Sequence, residues 1–536
     1  MNVDIMSKSR KQAHFMRLPS AEGFPLRLLP ARKDEWAEQA AKEVFGEERV
    51  TNILGSLHRS TMNYDSLVND LLEYDIAPAI CNRDAVYHAV LNSIREDLSD
   101  LGTITPLTTG AVPSRPDFPN NKSPGLPYKN QGYRTKREVI DAGKLHDINK
   151  MWQTIGFMKG RVDLPDVCLF GRAQIAKPGR EKIRATWGYP LAVYIEEGRF
   201  FYPIQDRIKD RQHNFPIAYG YETANGGMIV LQELLSRHRG AKYLCLDWKN
   251  FDKTVPPWVI RDAFGLIGEH IDWSHVQDVE NKIWPVSPQP SLRRWKRMVD
   301  YFINTPIRTC KGERFLVSTG VPSGSCWTNL IDSIVNAIYV RYAMYQTTSN
   351  FPLDELYLGD DGVVIANGIV NLDDIAQVAY KQFGAILNVA KSYITTSAEN
   401  VHFLGYFNIM GYPFKNQDYL IASFIQPEHT RKTGLEAATA ALGQLWSGFD
   451  PVYAVCWRRI ILKLAEREGF ELDDVVELMR NSAHKHKYLM HVGLDARTLT
   501  LPSPNRDGLI LEVYPKRYLL KIPPPRKYDL YKLFGR

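Results

Sequence analysis

The chain has 536 residues, 44% of them hydrophobic and 24% charged, the profile of an ordinary folded protein with several subdomains and a large core. No apolar stretch is long enough to cross a bilayer. The six cysteines form no C-x-x-C pair, which argues against a disulfide framework or a zinc ribbon and for a reducing compartment. The net charge of +7 is compatible with a polyanionic partner without requiring one.

Residues 1–20 are basic but lack the apolar run of a secretory signal, and Asp4 argues against a mitochondrial presequence. Helical spacing follows at 33–45 and 66–74. The proline- and glycine-rich stretch 105–133 predicts a long irregular surface loop of the kind that often carries function. From 171 to 407 short apolar runs alternate with amphipathic helices, predicting an α/β or α+β core. Beyond Thr433 the pattern turns helical, and 516–536 reads as an extended tail that either contacts nucleic acid by charge and stacking or wraps the protein's own surface. There is no internal repeat.

Arg172, Lys177, Arg180, Lys182 and Arg184 crowd into one stretch around Gly179. Alone, such a run is a solvated surface. Ahead of the carboxylates described next, it suits a triphosphate, because guanidinium groups grip phosphate in bidentate fashion.

The segment YLCLDWKNFDKTVPPW begins with an apolar run suited to a buried strand and places Asp247 at its end. Asp252 follows five residues later, and a proline then opens a helix with an apolar face. In LYLGDDGVVIA, apolar residues flank Gly359, Asp360, Asp361 and Gly362, predicting a β-hairpin with two acids at its tip. Asp-Gly turns are ordinary hairpin chemistry, so neither segment decides alone. Together they place a strand-end acid and an acidic hairpin where they can pair in one sheet. Three carboxylates there would repel one another unless cations neutralised them. Hard oxygen ligands select Mg²⁺ or Mn²⁺, and two such ions about 3.5–4 Å apart activate a 3′-hydroxyl and stabilise a departing pyrophosphate.

Between the two acidic segments, GVPSGSCWTNLIDSIVNAIYV makes a flexible loop feeding a helix, with Ser325 expected as its N-cap. Thr328, Asp332 and Asn336 form a polar stripe at four-residue spacing. The stripe reads either as a solvated face or as groups that sense a ribose. His402 reads as packing, while His484, His486 and His491 lack metal-site spacing.

These segments together resemble the palm motifs of viral RNA-dependent RNA polymerases. Asp247 and Asp252 match motif A. Ser323, Gly324 and Thr328 match motif B, and Gly359, Asp360 and Asp361 match motif C. GAILNVAKSYITT resembles motif D, with Lys391 in the place of the proton donor to pyrophosphate. Phe403, Leu404 and Gly405 resemble the motif E turn that grips the primer strand. GRAQIAKPGREKIRATWGYP resembles motif F, where Lys182 and Arg184 meet the triphosphate, and KSPGLPY resembles motif G on the template path. All seven lie in the usual order across 123–406, and FDKTVP and GVPSGS resemble the partitivirus and picobirnavirus side of the double-stranded RNA viruses. One departure is Asp332, where many such helices carry Asn; Asp332, Asn329 or Asn336 is then the candidate ribose sensor.

The resemblance implies an α/β (α+β) right-hand fold with fingers, a palm built on an RRM-like antiparallel sheet flanked by helices, and a helical thumb. The implied division is a bridging N-terminal extension at 1–110, fingers at 111–240, palm at 241–265, a fingers insertion at 266–315, palm again at 316–420, thumb at 421–515 and a basic tail at 516–536. It implies Asp247 and Asp360 as principal ligands of two Mg²⁺ ions, for which Mn²⁺ can substitute, with Asp361 supporting. Asp252, Ser323, Gly324, Thr328, Asn329 and Asp332 fall on the nucleotide, as do Arg172, Lys177, Lys182 and Arg184. The implied partners are RNA template and product, NTPs and a viral capsid protein, in the virion interior or host cytoplasm, without a membrane. A reverse transcriptase is the nearest alternative, but those enzymes place a bulky aromatic where Asp252 stands. A non-catalytic RNA-binding protein with a degenerate palm is the other.

Overall fold

The computed structural model describes residues 14–30, 32–211, 214–482, 489–516, 522–525 and 527–535. At its centre is a four-stranded antiparallel sheet in the order Asp354–Leu358, Asp361–Ala366, Lys242–Cys245, Tyr393–Thr395. Strand residues alternate strictly between two apolar layers, as period-two geometry demands. Leu244, Tyr357 and Val364 point into the largest core, whereas Tyr243, Cys245, Leu356, Val363 and Ile365 point into another. Both faces are therefore buried, which explains why these strands read as continuous apolar runs.

The first layer is built on the helices Thr328–Thr348 and Leu372–Phe383, where Tyr339 and Phe383 stack at 4.5 Å. The second layer includes the helix Gly227–Ser236. The expected helix after the first acidic strand runs Pro257–Gly268, opened by its proline. The helix expected to be capped by Ser325 instead starts at Thr328, with Trp327 in the cap position and no side-chain cap. Ser325 Oγ still accepts the Trp327 N–H at 3.1 Å, so the serine acts two residues upstream of the cap position.

A second, five-stranded sheet joins Phe15–Leu18, Arg314–Val317, Thr305–Arg308, Val167–Ala173 and Ile183–Gly188. Residues 15–18, within the basic N-terminal stretch, thus form an edge strand. The strand Arg314–Val317 lies whole in this sheet, across the division expected at 315/316. Residues 105–133 carry turns and isolated bridges but no helix or named strand.

The helices Gln417–Ile425, Gly434–Ser447, Pro451–Glu468 and Leu472–Asn481 share one core with the N-terminal helices Glu35–Phe45 and Glu47–Ser56. From that bundle the chain crosses to the five-stranded sheet's side. His58–Arg59 pairs with Ile175–Ala176, and the Lys182 N–H reaches Ser60 Oγ at 2.8 Å. At the other terminus, the short helix Leu530–Leu533 docks on the helix Ala85–Leu98, with Leu533 buried and Phe534 against Tyr345. The described part of the tail therefore lies on the protein's own surface. Its expected cations Arg517, Lys521, Arg526 and Arg536, and Tyr518, lie outside the described residues, as do His484 and His486.

Candidate active site

The strand Lys242–Cys245 faces Val363 through Cys245, and Leu358 faces Asp361 across the hairpin. Continuing that register two residues brings Asp247 level with Asp361. The backbone of Asp247 is fixed on both sides: its N–H donates to Ser392 Oγ at 2.9 Å, and its carbonyl accepts the Asn388 N–H at 2.8 Å. Asp360 sits at the hairpin tip, and Asp361 is the first residue of the returning strand rather than a second tip residue. Asp247, Asp360, Asp361 and Lys391 line one cavity of about 410 Å³, together with His402 and Phe407.

Crowding these acids has an electrostatic cost. Burial, then Asp252 and Asp247, raise Asp360 above the usual carboxylate range, while Arg184 opposes the rise. Burial and Asp360 push Asp361 up to about 7 although Leu404 and Gly362 donate to it. The Leu404 N–H meets Asp361 Oδ2 at 2.6 Å, so the Phe403, Leu404, Gly405 turn is tied to the acidic hairpin. Among the described residues, no three His, Cys, Asp or Glu side chains close around a single point where an ion would sit.

Lys182 and Arg184 do not line this cavity but lie within electrostatic reach of its acids, Lys182 of Asp247 and Arg184 of Asp360. Burial and then Arg184 and Lys391 lower Lys182, while Asp247 acts in the opposite sense. The other cations of the run diverge. Arg172 is the cross-strand partner of Arg184 but turns away to pair with Glu428 at 3.0 Å, and Lys177 projects from the exposed turn at Gly179.

The loop preceding the long helix is bound to both neighbours. Gly320 has φ 73°, and a Cβ there would lie 2.5 Å from the Asp252 carbonyl. A Cβ on Gly324 would lie 1.8 Å from the Trp187 carbonyl, so glycine is needed there for contact with the strand Ile183–Gly188. The Val321 N–H donates to the Asp252 carbonyl at 2.6 Å, and Ser323 Oγ donates to the Asp252 carboxylate. Thr328 Oγ1 donates to the Pro322 carbonyl at 2.7 Å, which makes its hydroxyl a brace for the loop.

Along the polar stripe the side chains divide. Asp332 is buried against Asp252; burial, the Asp252 charge and a hydrogen bond between the two raise it well above the carboxylate range. Among the described residues, Asp332 Oδ1 and Asn329 Oδ1 have no hydrogen-bond partner. Asn336 is spoken for: its Nδ2 donates to the Gly359 carbonyl at 3.1 Å and its Oδ1 accepts from Trp248 Nε1 at 3.0 Å. That removes Asn336 as a ribose sensor. Ser333 Oγ accepts the Gly359 N–H at 2.8 Å and completes the clamp. His402 packs edge-on against Phe407 at 4.9 Å.

Several of these residues carry no local sequence signal. Lys253 ion-pairs with Asp70 and Glu73 at 2.6 Å each, and Asp70 also accepts the Ala185 N–H at 2.7 Å. The helix Tyr64–Leu72 thus braces the strand-end acid region against the basic strand. Ser392 and Ser333 are single serines whose roles exist only once three segments meet.

A four-stranded antiparallel sheet backed by helices, with an acidic hairpin beside a strand-end acid and a helical bundle closing the far side, is the architecture of the template-directed right-hand polymerases. Residues 33–412 match the family of viral RNA-dependent RNA polymerases, and the chain belongs to that family. It is 25% identical over 345 residues to the RNA-directed RNA polymerase of White clover cryptic virus 1, covering 60% of this chain and 55% of that one. It is 24% identical over 438 residues to that of Cryptosporidium parvum virus 1, covering 76% and 77%. A 25% match to the polymerase of Atkinsonella hypoxylon virus covers 48% of this chain and 44% of the relative. The chain thus spans about half the length of two of these relatives. The fold is similar to that of a sicinivirus 3Dpol RNA-dependent RNA polymerase (TM-score 0.65, 15% identity, 85% of this chain and 95% of that one). It is also similar to that of a human picobirnavirus RNA-dependent RNA polymerase (TM-score 0.61, 14% identity, 87% and 91%).

Proposed function

We propose that the chain is an RNA-directed RNA polymerase, joining NTPs to an RNA 3′-hydroxyl under the direction of an RNA template. The observation that carries this reading is the single cavity lined by Asp247, Asp360, Asp361 and Lys391, with Lys182 and Arg184 within electrostatic reach of its acids. Burial and mutual repulsion raise Asp360 and Asp361 above the usual carboxylate range, a cost that cations would relieve, and the hard oxygens of the three acids fit Mg²⁺ or Mn²⁺. Asp247 and Asp360 would hold two such ions, with Asp361 supporting. When bound, those ions supply charge neutralisation, a more acidic 3′-hydroxyl and stabilisation of the leaving group.

The chain's own residues do the rest. Lys182 and Arg184 receive the triphosphate and orient it toward the acids. Lys391, which lines the cavity beside the acids, gives a proton to the departing pyrophosphate. Asp252 and Asp332, joined by a hydrogen bond, present their remaining oxygens to the ribose hydroxyls, and Asn329 Oδ1 offers a further acceptor. Ser323, Gly324 and Thr328 keep that pair in register.

On this reading 1–110 bridges fingers and thumb, 111–240 and 266–315 form fingers, 241–265 and 316–420 palm, 421–515 thumb and 516–536 the tail. The likeness of FDKTVP and GVPSGS to the partitivirus and picobirnavirus group supports a role in replicating and transcribing a double-stranded RNA genome. That work would take place in the virion interior or host cytoplasm beside a capsid protein.

RNA synthesis on a defined unprimed template, with and without Mg²⁺, tests the reading, with Asp360→Asn as control. Metal-dependent product from the native chain and none from a folded variant are expected. Near-normal synthesis by Asp360→Asn overturns the site, and a preference for deoxyribonucleotides overturns the choice of substrate in favour of a reverse transcriptase.

A further inference from the structure

Glu197 lies in the helix Leu191–Arg211, outside every motif described above, and is fully buried. Its neighbour Glu196 is equally buried but is neutralised by Arg199 at 2.7 Å and Arg294 at 2.6 Å. Glu197 pairs with no Lys, Arg or His among the described residues. A buried acid without a cation is costly and persists where its hydrogen bonds hold something in place. Both of its oxygens are used: one shares a hydrogen bond with Ser325 Oγ, and the other accepts the Cys326 N–H at 3.2 Å. Ser325 Oγ in turn accepts the Trp327 N–H, the start of a long helix that has no side-chain cap of its own.

The loop 320–325 is therefore suspended between two acids. Asp252 holds its front through Val321 and Ser323, and Glu197 holds its rear. Where the rear is fixed determines where Ser323 meets Asp252 and where the helix presents Asp332, one turn beyond Thr328.

We propose that Glu197 is a positioning residue for nucleotide selection: through Ser325 and Cys326 it fixes the register in which the loop and helix present Ser323 and Asp332 to Asp252. This rests on the polymerase reading above. Burial pushes the Glu197 carboxyl up to about 8, so at neutral pH it is the uncharged acid, offering one carbonyl oxygen and one O–H. An amide matches that pattern; a hydrocarbon does not.

The test measures kcat and KM for a ribonucleotide and its 2′-deoxy counterpart on one primed RNA, using full-length native chain, Glu197→Gln, Glu197→Leu and Ser325→Ala. Glu197→Gln is expected to stay within about twofold of native discrimination, and Glu197→Leu to lose about tenfold, chiefly through a higher ribonucleotide KM, with affinity for the primed RNA unchanged. Ser325→Ala, which leaves the acid in place and keeps the Cys326 bond, shifts the ratio in the same direction by less. If Glu197→Leu does not fold, Ser325→Ala decides. Native discrimination in both Ser325→Ala and Glu197→Leu overturns the proposal, as does a Glu197→Gln variant no better than the leucine. Absence of any incorporation by the native chain overturns the polymerase reading itself, a different result.

Discussion

At the scale of single residues, the protein repeatedly keeps carboxyl groups where burial disfavours their charge, and the consequence is a stability that depends on pH. Glu197 is the separable case. Its folded value, about 8, exceeds the ordinary carboxylate value of about 4.5, so the folded chain binds that proton more tightly than the unfolded chain. The associated stability is therefore full below the unfolded value and is lost as pH rises through the folded one. The titratable groups around it, Tyr189, Tyr301 and Cys326, are themselves pushed well upward by burial and stay neutral across this window. Native chain should accordingly lose stability relative to Glu197→Gln by a few kcal/mol between about pH 4.5 and about pH 8, read as the difference in denaturation free energy. Subtracting the variant removes the parallel contribution of Asp361 and Asp332, which titrate in the same direction. A pH-independent difference would show that Glu197 is charged throughout.

At the scale of elements, the acidic hairpin is placed by a clamp rather than by its own turn. Asn336 and Ser333, on successive turns of the helix Thr328–Thr348, hold the backbone of Gly359, and Asn336 simultaneously holds Trp248 of the neighbouring segment. Asn336→Ala strands a buried indole N–H and leaves the Gly359 carbonyl without its side-chain donor, at a cost of about 1–3 kcal/mol. Equilibrium unfolding measures that cost, and nucleotide incorporation at a permissive temperature should fall as well, because the Asp360 tip loses its anchor. Gly324→Ala acts on the other side of the same helix. With the new methyl 1.8 Å from the Trp187 carbonyl, the loop must lift off the strand that carries Arg184. Incorporation should drop at least about tenfold with the triphosphate KM raised, since a displacement on the order of 1 Å at a reacting centre is felt strongly; unchanged KM would mean the loop relaxes elsewhere.

These two cases also mark what a linear reading can reach. The strand ending at Asp247 and the hairpin at Asp360 announce themselves locally, through an apolar run and a Gly-Asp turn. Glycine 324 is visible only as loop composition, because the Trp187 carbonyl that requires it lies over a hundred residues upstream. Asn336 is visible as part of a polar stripe, yet its partners decide that it braces rather than binds. Arg172 shows the converse failure: proximity in sequence groups it with Lys182 and Arg184, but strand pairing sets it opposite Arg184, and its charge is satisfied by Glu428.

At the scale of the whole molecule, the two ends of the described chain are used as fasteners between parts distant in sequence. The N-terminal helices belong to the core of the helical bundle, while the residues immediately after them pair with the strand that leads into Lys182, so bundle and basic strand cannot separate freely. The C-terminal fastening is of another kind. Arg341 is completely buried in the long helix, held between Asp97 at 2.6 Å and Glu355 at 2.5 Å, and Glu355 belongs to the outer strand of the acidic hairpin. Such a cluster is costly unless it is fully satisfied and shielded from partial hydration. The tail provides the shield: Tyr528 Oη donates to Asp97 at 2.7 Å, its ring lies 5.2 Å from the Arg341 guanidinium, and it packs on Phe351. Removing residues 527–536 should therefore lower the onset of thermal unfolding, with about 2 kcal/mol lost from the tyrosine hydrogen bond and cation–π contact alone. Tyr528→Phe, which keeps the ring and removes the hydroxyl, should recover part of that loss. Because Arg341 and Glu355 remain joined in both variants, synthesis per folded molecule well below the transition should stay near native. If the truncated chain instead kept native stability while losing synthesis, the tail would have to be contacting RNA.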